Sequence, residues 1–179
     1  IKDNYNNIYY VENNYELSKL HKLSPDGTVD EVIGGGGTLE EGIGTNSKFR
    51  NPFEIIIDNN KNNLIISDTY DHQIKSINIH TLEFTILAGR RQHSDFLDGF
   101  GTIACFNSQS GIILNEIDYN LYIADSKNNA IRVMNKDKYV STIAGGISIT
   151  SVDGVGTNAG FANPVGIALF AQLNSLYIT

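Results

Sequence analysis

One segment of about 15 residues occurs three times in this chain and constrains its architecture more than any other feature. The copies are EGIGTNSKFRNPFEI from Glu41, DGFGTIACFNSQSGI from Asp98 and DGVGTNAGFANPVGI from Asp153. Two further landmarks keep the same interval of 55 to 57 residues. The first is an apolar run at Ile8, Leu64, Leu121 and Leu176, and the second is a glycine end at Gly34–Gly36, Gly89 and Gly145–Gly146. Independent landmarks with one shared interval predict a repeat protein.

Each repeat contains four short runs that are rich in β-branched and aromatic residues and are separated by turn-forming residues. In one unit the runs are Gly111–Asn115, Leu121–Asp125, Ala130–Asn135 and Tyr139–Ala144. No segment has a sustained helical period, so the pattern predicts an all-β fold. Four-stranded units repeated without helices are typical of a β-propeller. The alternative, a β-solenoid, normally has much shorter coils.

The repeat predicts a single propeller segment over residues 1–179. The expected blade units are 1–36, 52–89 and 109–146, with the next blade starting at 164–179. About three blades cannot close a ring, because propellers have four to eight. We therefore expect part of a six-bladed propeller, completed by the rest of the polypeptide or by a second copy. Expressed alone, the segment is expected to self-associate through its bare strand edges.

The glycines of the repeated segment resemble a phosphate-binding loop. A dinucleotide fingerprint needs a helix after its glycines, but Pro164 and an apolar run follow Gly156, and the segment occurs three times. We therefore interpret it as a link between blades. Its glycines permit turns with positive φ, its phenylalanine fills the groove between blades, and its proline begins the next innermost strand. The residues in these structural roles are Gly99, Gly101, Gly154, Gly156, Phe49, Phe106, Phe161, Pro52 and Pro164.

The segments LIISDTYDHQIKSIN and LYIADSKNNAIRVMN resemble the NHL repeat, whose D-x-x-N-H-x-I turn joins the second and third strands of a blade. The matching residues are Asp68, Asp71, His72 and Ile74, and Asp125, Asn128, Asn129 and Ile131. In both turns the first aspartate is expected to accept backbone N–H bonds from its own turn. The first unit departs from the pattern at Glu12, and the link after Asp98 has no proline. The resemblance implies a propeller that binds proteins or, in some cases, RNA.

Strand parity predicts one loop-rich face. In an up-and-down blade, the turns between second and third strands emerge on the same face as the links. Residues 90–97 contain the richest mixture of cationic, aromatic and imidazole groups in any link. Long loops on a rigid scaffold are common binding sites. The candidate binding residues are Arg90, Arg91, His93, Phe96, Tyr70, His72 and Lys127.

The net charge of −7 disfavours binding to nucleic acid. The single cysteine, Cys105, excludes an intrachain disulfide and favours a reducing, intracellular compartment. No apolar run is long enough to cross a membrane. We therefore expect a non-catalytic protein-interaction scaffold with no cofactor.

An enzyme is the alternative function, namely a lactonase-like hydrolase or lyase with a divalent metal in the channel. Such a site collects carboxylates from the innermost strands. Glu54 and Glu116 lie within or near predicted first strands, which gives one central acid per strand at most. The four histidines have no metal-ligand spacing. We therefore expect no metal site and no catalytic residues within this segment, although blades outside it could complete a site.

Overall fold

The computed structural model describes residues 1–14, 18–33, 42–44, 47–146, 150–170, 172 and 175–179. Its strands form four antiparallel sheets, which confirms the predicted all-β propeller architecture. The strands are β1 Ile8–Glu12, β2 Lys19–Leu23, β3 Val29–Ile33, β4 Gly42–Ile43, β5 Pro52–Asp58, β6 Asn63–Asp68, β7 Gln73–Asn78, β8 Glu83–Ala88, β9 Gly99–Phe100, β10 Ile112–Asn115, β11 Asn120–Asp125, β12 Ala130–Met134, β13 Tyr139–Gly145, β14 Ile167–Phe170 and β15 Ser175–Ile178.

Each sheet is one blade, and the chain passes through its strands in order. The second blade has the order β5-β6-β7-β8 and the third has β10-β11-β12-β13. The first sheet contains β1-β2-β3 and the fourth contains β14-β15. The four strands of the third blade agree with the predicted runs to within one residue at each end.

The links also contribute strands. β4 pairs with β8, and β9 pairs with β13, so each of these links adds a short strand to the outer edge of the blade that follows it. Added strands cover backbone groups that an open edge would expose. Gly101 and Gly156 then turn the chain with φ of +51° and +59°, a conformation that favours glycine.

The hydrophobic cores lie between neighbouring blades. The seam between the first and second blades buries Leu20, Ile33, Phe49, Leu64 and Phe84, among others. The seam between the second and third blades contains ten buried apolar residues, again with a link phenylalanine in the middle. Phe49 and Phe106 are both fully buried. Each link therefore supplies a core residue to the seam that it crosses.

A glycine at the end of each fourth strand gives the link phenylalanine room. At Gly89 a Cβ atom would lie 3.0 Å from Phe106 and 2.1 Å from the carbonyl oxygen of His72. At Gly145 it would lie 2.7 Å from Phe161 and 2.3 Å from the carbonyl oxygen of Asn129. Real Cβ atoms do not approach backbone so closely, and this explains why these glycines recur at the repeat interval. The corresponding Gly34–Gly36, and Glu41 of the first link, lie outside the described residues.

Two details of the third link differ from the prediction. Pro52 is the first residue of β5, but Pro164 lies three residues before β14 begins at Ile167. Phe161 is partly exposed, whereas its two counterparts are fully buried. The exposure of Phe161 follows from its position, because within the described residues the fourth blade has two strands to pack against this link. The late strand start does not, since β10 of the third blade also begins three residues after the matching Gln109.

Candidate interaction face

The second link crosses the ends of two blades and contacts both of their second-to-third turns. The backbone N–H of Gln92 donates to the carbonyl oxygen of Asp71 at 3.1 Å. The side chain of Asn128 donates to the carbonyl oxygen of Asp95 at 2.9 Å. The structure therefore brings together the link and turn residues that strand parity places on one face.

The rest of this link is hydrogen-bonded to the later part of the same link, near residues 105–106, and to the third blade. The backbone N–H of Asp95 donates to the Phe106 carbonyl oxygen at 3.3 Å, and Leu97 pairs with Cys105 as a β-bridge. Arg132 donates to the carbonyl oxygen of Leu97 at 2.8 Å. The backbone of the link is thus held in one conformation at both ends.

A buried cation lies beneath this face in each complete blade. Arg132 donates to the carboxylate of Asp125 at 2.7 Å and to that of Asp98 at 2.7 Å. Lys75 donates to Asp68 at 2.5 Å and to Asp71 at 2.8 Å. Neither cation is more than 1% exposed. Removing one partner of such a pair is costly, because it leaves an uncompensated charge in the interior.

Each buried cation also lies close to the rings of phenylalanines in its link. The Arg132 guanidinium is 5.3 Å from the centre of the Phe106 ring and 5.0 Å from that of Phe96. Lys75 lies 6.0 Å from the centre of the Phe49 ring. Because the ring faces are electronegative, these contacts stabilise the cations further.

The first blade repeats this pairing with different residues. His21 lies at the register position of Lys75 and Arg132, directly after the same β-bulge, and its ring nitrogen is 3.1 Å from Glu12. Sequence reasoning did not find the cations, although Lys75 and Arg132 each follow a turn aspartate by seven residues. In the first blade Glu12 and His21 are nine residues apart in the sequence, so the pattern is hidden.

The turn aspartates accept backbone bonds from the links rather than from their own turns, which corrects the predicted arrangement. Asp68 accepts the backbone N–H groups of Arg50 at 3.0 Å and Asn51 at 2.9 Å. Asp125 accepts that of Asn107 at 2.8 Å. These donors have no strand partner because the link turns sharply there, so each aspartate fixes the link to the blade.

A second periodic contact closes each seam. The residue after each turn acid donates its side chain to the carbonyl oxygen at the start of the next blade. The pairs are Asn13 to Pro52 at 2.9 Å, Thr69 to Gln109 at 2.8 Å and Ser126 to Pro164 at 2.7 Å. Gln109 stands where the other two links have proline, and its amide donates to the Asp68 and Gln73 carbonyl oxygens. The link without a proline therefore gains bonds that proline cannot make.

The predicted binding residues separate into two groups. The exposed members are Tyr70, Arg90, His93, Phe96 and Lys127, and we call this set the link face. Phe96 also packs against Gly146, and its ring centre lies 5.0 Å from the Arg132 guanidinium.

Two of the predicted binding residues make internal contacts instead. Arg91 is partly buried, with Nε 3.6 Å from the Asp71 carboxylate. The Nδ1 atom of His72 accepts the backbone N–H of Ser108 at 3.0 Å, and burial lowers the pKa of this histidine. His72 therefore connects the turn between β6 and β7 to the next link as a neutral imidazole.

Glu54, in the innermost strand of the second blade, connects two blades. The carboxylate of Glu54 accepts the backbone N–H of Ile112 at 2.7 Å, and burial raises the pKa of Glu54. Within the described ranges, no group of three or more histidine, cysteine, aspartate or glutamate side chains is placed to hold a metal ion. In the same ranges, no helix is long and apolar enough to span a membrane.

The raised pKa of Glu54 predicts how stability depends on pH. The folded chain holds a proton that the unfolded chain has released, so the contribution of Glu54 to stability falls as pH rises above the usual glutamate pKa. We expect the unfolding free energy of the wild type, relative to Glu54→Gln, to increase from about pH 7 to about pH 4. Parallel chemical denaturation of the two proteins measures this, and a constant or decreasing difference would contradict it.

Comparison with known proteins agrees with this geometry. In an alignment 139 positions long that covers 72% of this chain, the chain is 31% identical to the human NHL repeat-containing protein 2. The chain belongs to the NHL-repeat β-propeller family. No family model matches the chain. This NHL-repeat chain spans 19% of the length of the human protein in that alignment.

Solved structures share the fold of the NHL-repeat chain. An auxiliary nutrient binding protein from Bacteroides ovatus superposes with a TM-score of 0.78 and 21% identity, over 99% of this chain and 44% of that one. The virginiamycin B lyase from Staphylococcus aureus superposes with a TM-score of 0.64 and 15% identity, over 100% of this chain and 47% of that one. The matches extend over part of six-bladed propellers. At such identity they show the fold alone, and the fold serves both binding and catalysis.

Proposed function

We propose that this NHL-repeat segment is a protein-interaction scaffold that binds a partner through the link face. The observation that carries the proposal is a fixed loop backbone with exposed side chains. Residues 92–98 are hydrogen-bonded to the second and third blades, while the side chains of Arg90, His93 and Phe96 remain exposed.

A loop that is already ordered loses little conformational entropy when it binds, so more of the contact energy appears as affinity. The side-chain types also suit an interface, because tyrosine and arginine are enriched among the residues that dominate binding energy. Tyr70 is 49% exposed and Phe96 is 41% exposed. Exposed cations on a chain of net charge −7 favour an acidic patch on the partner.

Replacing Tyr70, Arg90 and His93 together with alanine should abolish capture of the partner. None of the three side chains is buried, so the melting temperature should change by no more than about 2–4 °C. Affinity capture from cells that express the protein, quantified by mass spectrometry, would compare this variant with the wild type.

The matched control replaces Tyr5, Lys22 and His80 with alanine. These residues have the same chemical types and lie on the opposite face, where they line the seam between the first two blades. A specific partner should be recovered by the wild type and the control but not by the link-face variant. Equal recovery by all three proteins would refute the proposal. The enzyme alternative places reactive groups at the channel, so it predicts that turnover is unchanged in the link-face variant.

A further inference from the structure

The seam between the second and third blades opens into a pocket on the face opposite the links. Its volume is about 110 Å³. Three lysines line it: Lys61 from the turn between β5 and β6, and Lys136 and Lys138 from the turn between β12 and β13. Asp137, which lies between the last two, does not line the pocket. This turn therefore contributes two lysines and no acid to the lining of the pocket.

Across the part of the chain that the structure describes, no ion pair joins Lys61, Lys136 or Lys138 to a carboxylate. The Lys61 ammonium lies 4.2 Å from the centre of the Tyr119 ring, a contact that holds it beside the pocket. Three cations in one pocket repel one another, and an anion between them would remove that repulsion.

One acid belongs to the same pocket. The carboxylate of Asp58 lines it, but this residue is only 3% exposed, and its Oδ1 atom accepts the backbone N–H groups of Asn60 and Lys61. Three lysines against one aspartate leave the pocket positive, although the whole chain has a net charge of −7.

The equivalent seam one blade earlier has the opposite character. The pockets there are lined by Asp3, Asp30 and Glu31, with Lys22 as their only lysine among the described residues. The basic pocket is therefore not a general consequence of the blade geometry. It results from the residues of one seam, which makes the other seam an internal comparison.

The size and charge of the pocket indicate the ligand. Pockets for whole small molecules have volumes of roughly 300–1,000 Å³, so this one has room for a headgroup only. Three ammonium groups offer nine N–H donors, which suits the three terminal oxygens and double charge of a phosphate monoester better than a carboxylate. Buried Leu121 and Met134 also line the pocket, so part of its wall is apolar.

We propose that the basic pocket between the second and third blades binds the phosphate group of a small phosphate monoester. The body of the ligand would extend from the pocket over the exposed turns. This site is separate from the link face, lies on the other side of the molecule, and requires no protein partner.

Titration calorimetry of the purified protein with inorganic phosphate and with phenyl phosphate tests the proposal. We expect saturable binding of both that weakens as sodium chloride is added. Replacing Lys61, Lys136 and Lys138 with glutamine should weaken binding about tenfold or more. Lys2, Lys22 and Lys48 replaced with glutamine form the control, which has the same total charge as the test variant but an intact pocket and link face.

The outcomes are distinct. Loss in the test variant alone supports the proposal. No saturable binding of phenyl phosphate, or equal weakening in both variants, would overturn it. Because Tyr70, Arg90 and His93 are unchanged in the test variant, partner capture at the link face should continue, so the two proposals can fail independently.

Discussion

Replacing Arg132 with methionine should lower the free energy of unfolding by about 3–5 kcal/mol. The guanidinium is fully buried and bonds to Asp125, Asp98 and the carbonyl oxygens of Leu97 and Cys105. Methionine fills similar space, but it leaves the buried Asp125 carboxylate without a cation. The cost is therefore mainly that of an unpaired buried charge, which chemical denaturation at pH 7 would measure.

Lys127→Met is the matched control, because it also replaces a cation with methionine, but at an exposed position in the turn before β12. It should change the free energy of unfolding by no more than about 0.5 kcal/mol. The double variant Arg132→Met with Asp125→Asn removes the stranded charge and keeps an oxygen that can accept from Asn107. It should be more stable than Arg132→Met alone. A double variant that is less stable would show that packing, not charge, determines the loss.

The loss should also depend on pH. Burial raises the pKa of the Asp125 carboxyl, and in the variant no guanidinium opposes that effect. The folded variant would then hold a proton that the unfolded chain has released, so its stability falls as pH rises above the ordinary aspartate value. The difference from the wild type should be smaller at about pH 5 than at about pH 7. A difference independent of pH would contradict this account.

The repeat interval predicts most of the fold because each repeated residue has the same structural role in every blade. The strands of the third blade follow directly from the runs of β-branched residues, and the fully buried Phe49 and Phe106 follow from their place in the link. The interval does not reveal that Lys75 and Arg132 are buried. A lone basic residue in a strand ordinarily points to solvent, and only the facing aspartates and the bulge direct these side chains inward.

The candidate face is predicted in outline for the same reason. Strand parity places the turns and the links together, and this requires no knowledge of individual contacts. Which side chains remain free does depend on such contacts. Arg91 reaches Asp71, and His72 accepts from Ser108, across separate units of the repeat. A single sequence does not show how far these units are displaced relative to one another, so it cannot separate Arg90 from Arg91.

Replacing Phe106 with alanine should lower the free energy of unfolding by about 3–5 kcal/mol. Its ring is fully buried in the seam between the second and third blades, beside Gly89 and 5.3 Å from the Arg132 guanidinium. The substitution therefore leaves a cavity within the core and removes an aromatic face from a buried cation. Chemical denaturation measures the loss.

The repeat supplies its own control for this prediction. Phe161 occupies the same position in the third link but is partly exposed, so alanine there should lower the free energy of unfolding by about 1 kcal/mol or less. The two substitutions are chemically identical, but the Phe106 ring is fully buried and lies 5.3 Å from the Arg132 guanidinium, whereas Phe161 is partly exposed. Equal losses at the two positions would mean that the link, rather than the seam between blades, determines the contribution of this phenylalanine. A loss confined to Phe106 would show that contacts between blades provide this stability.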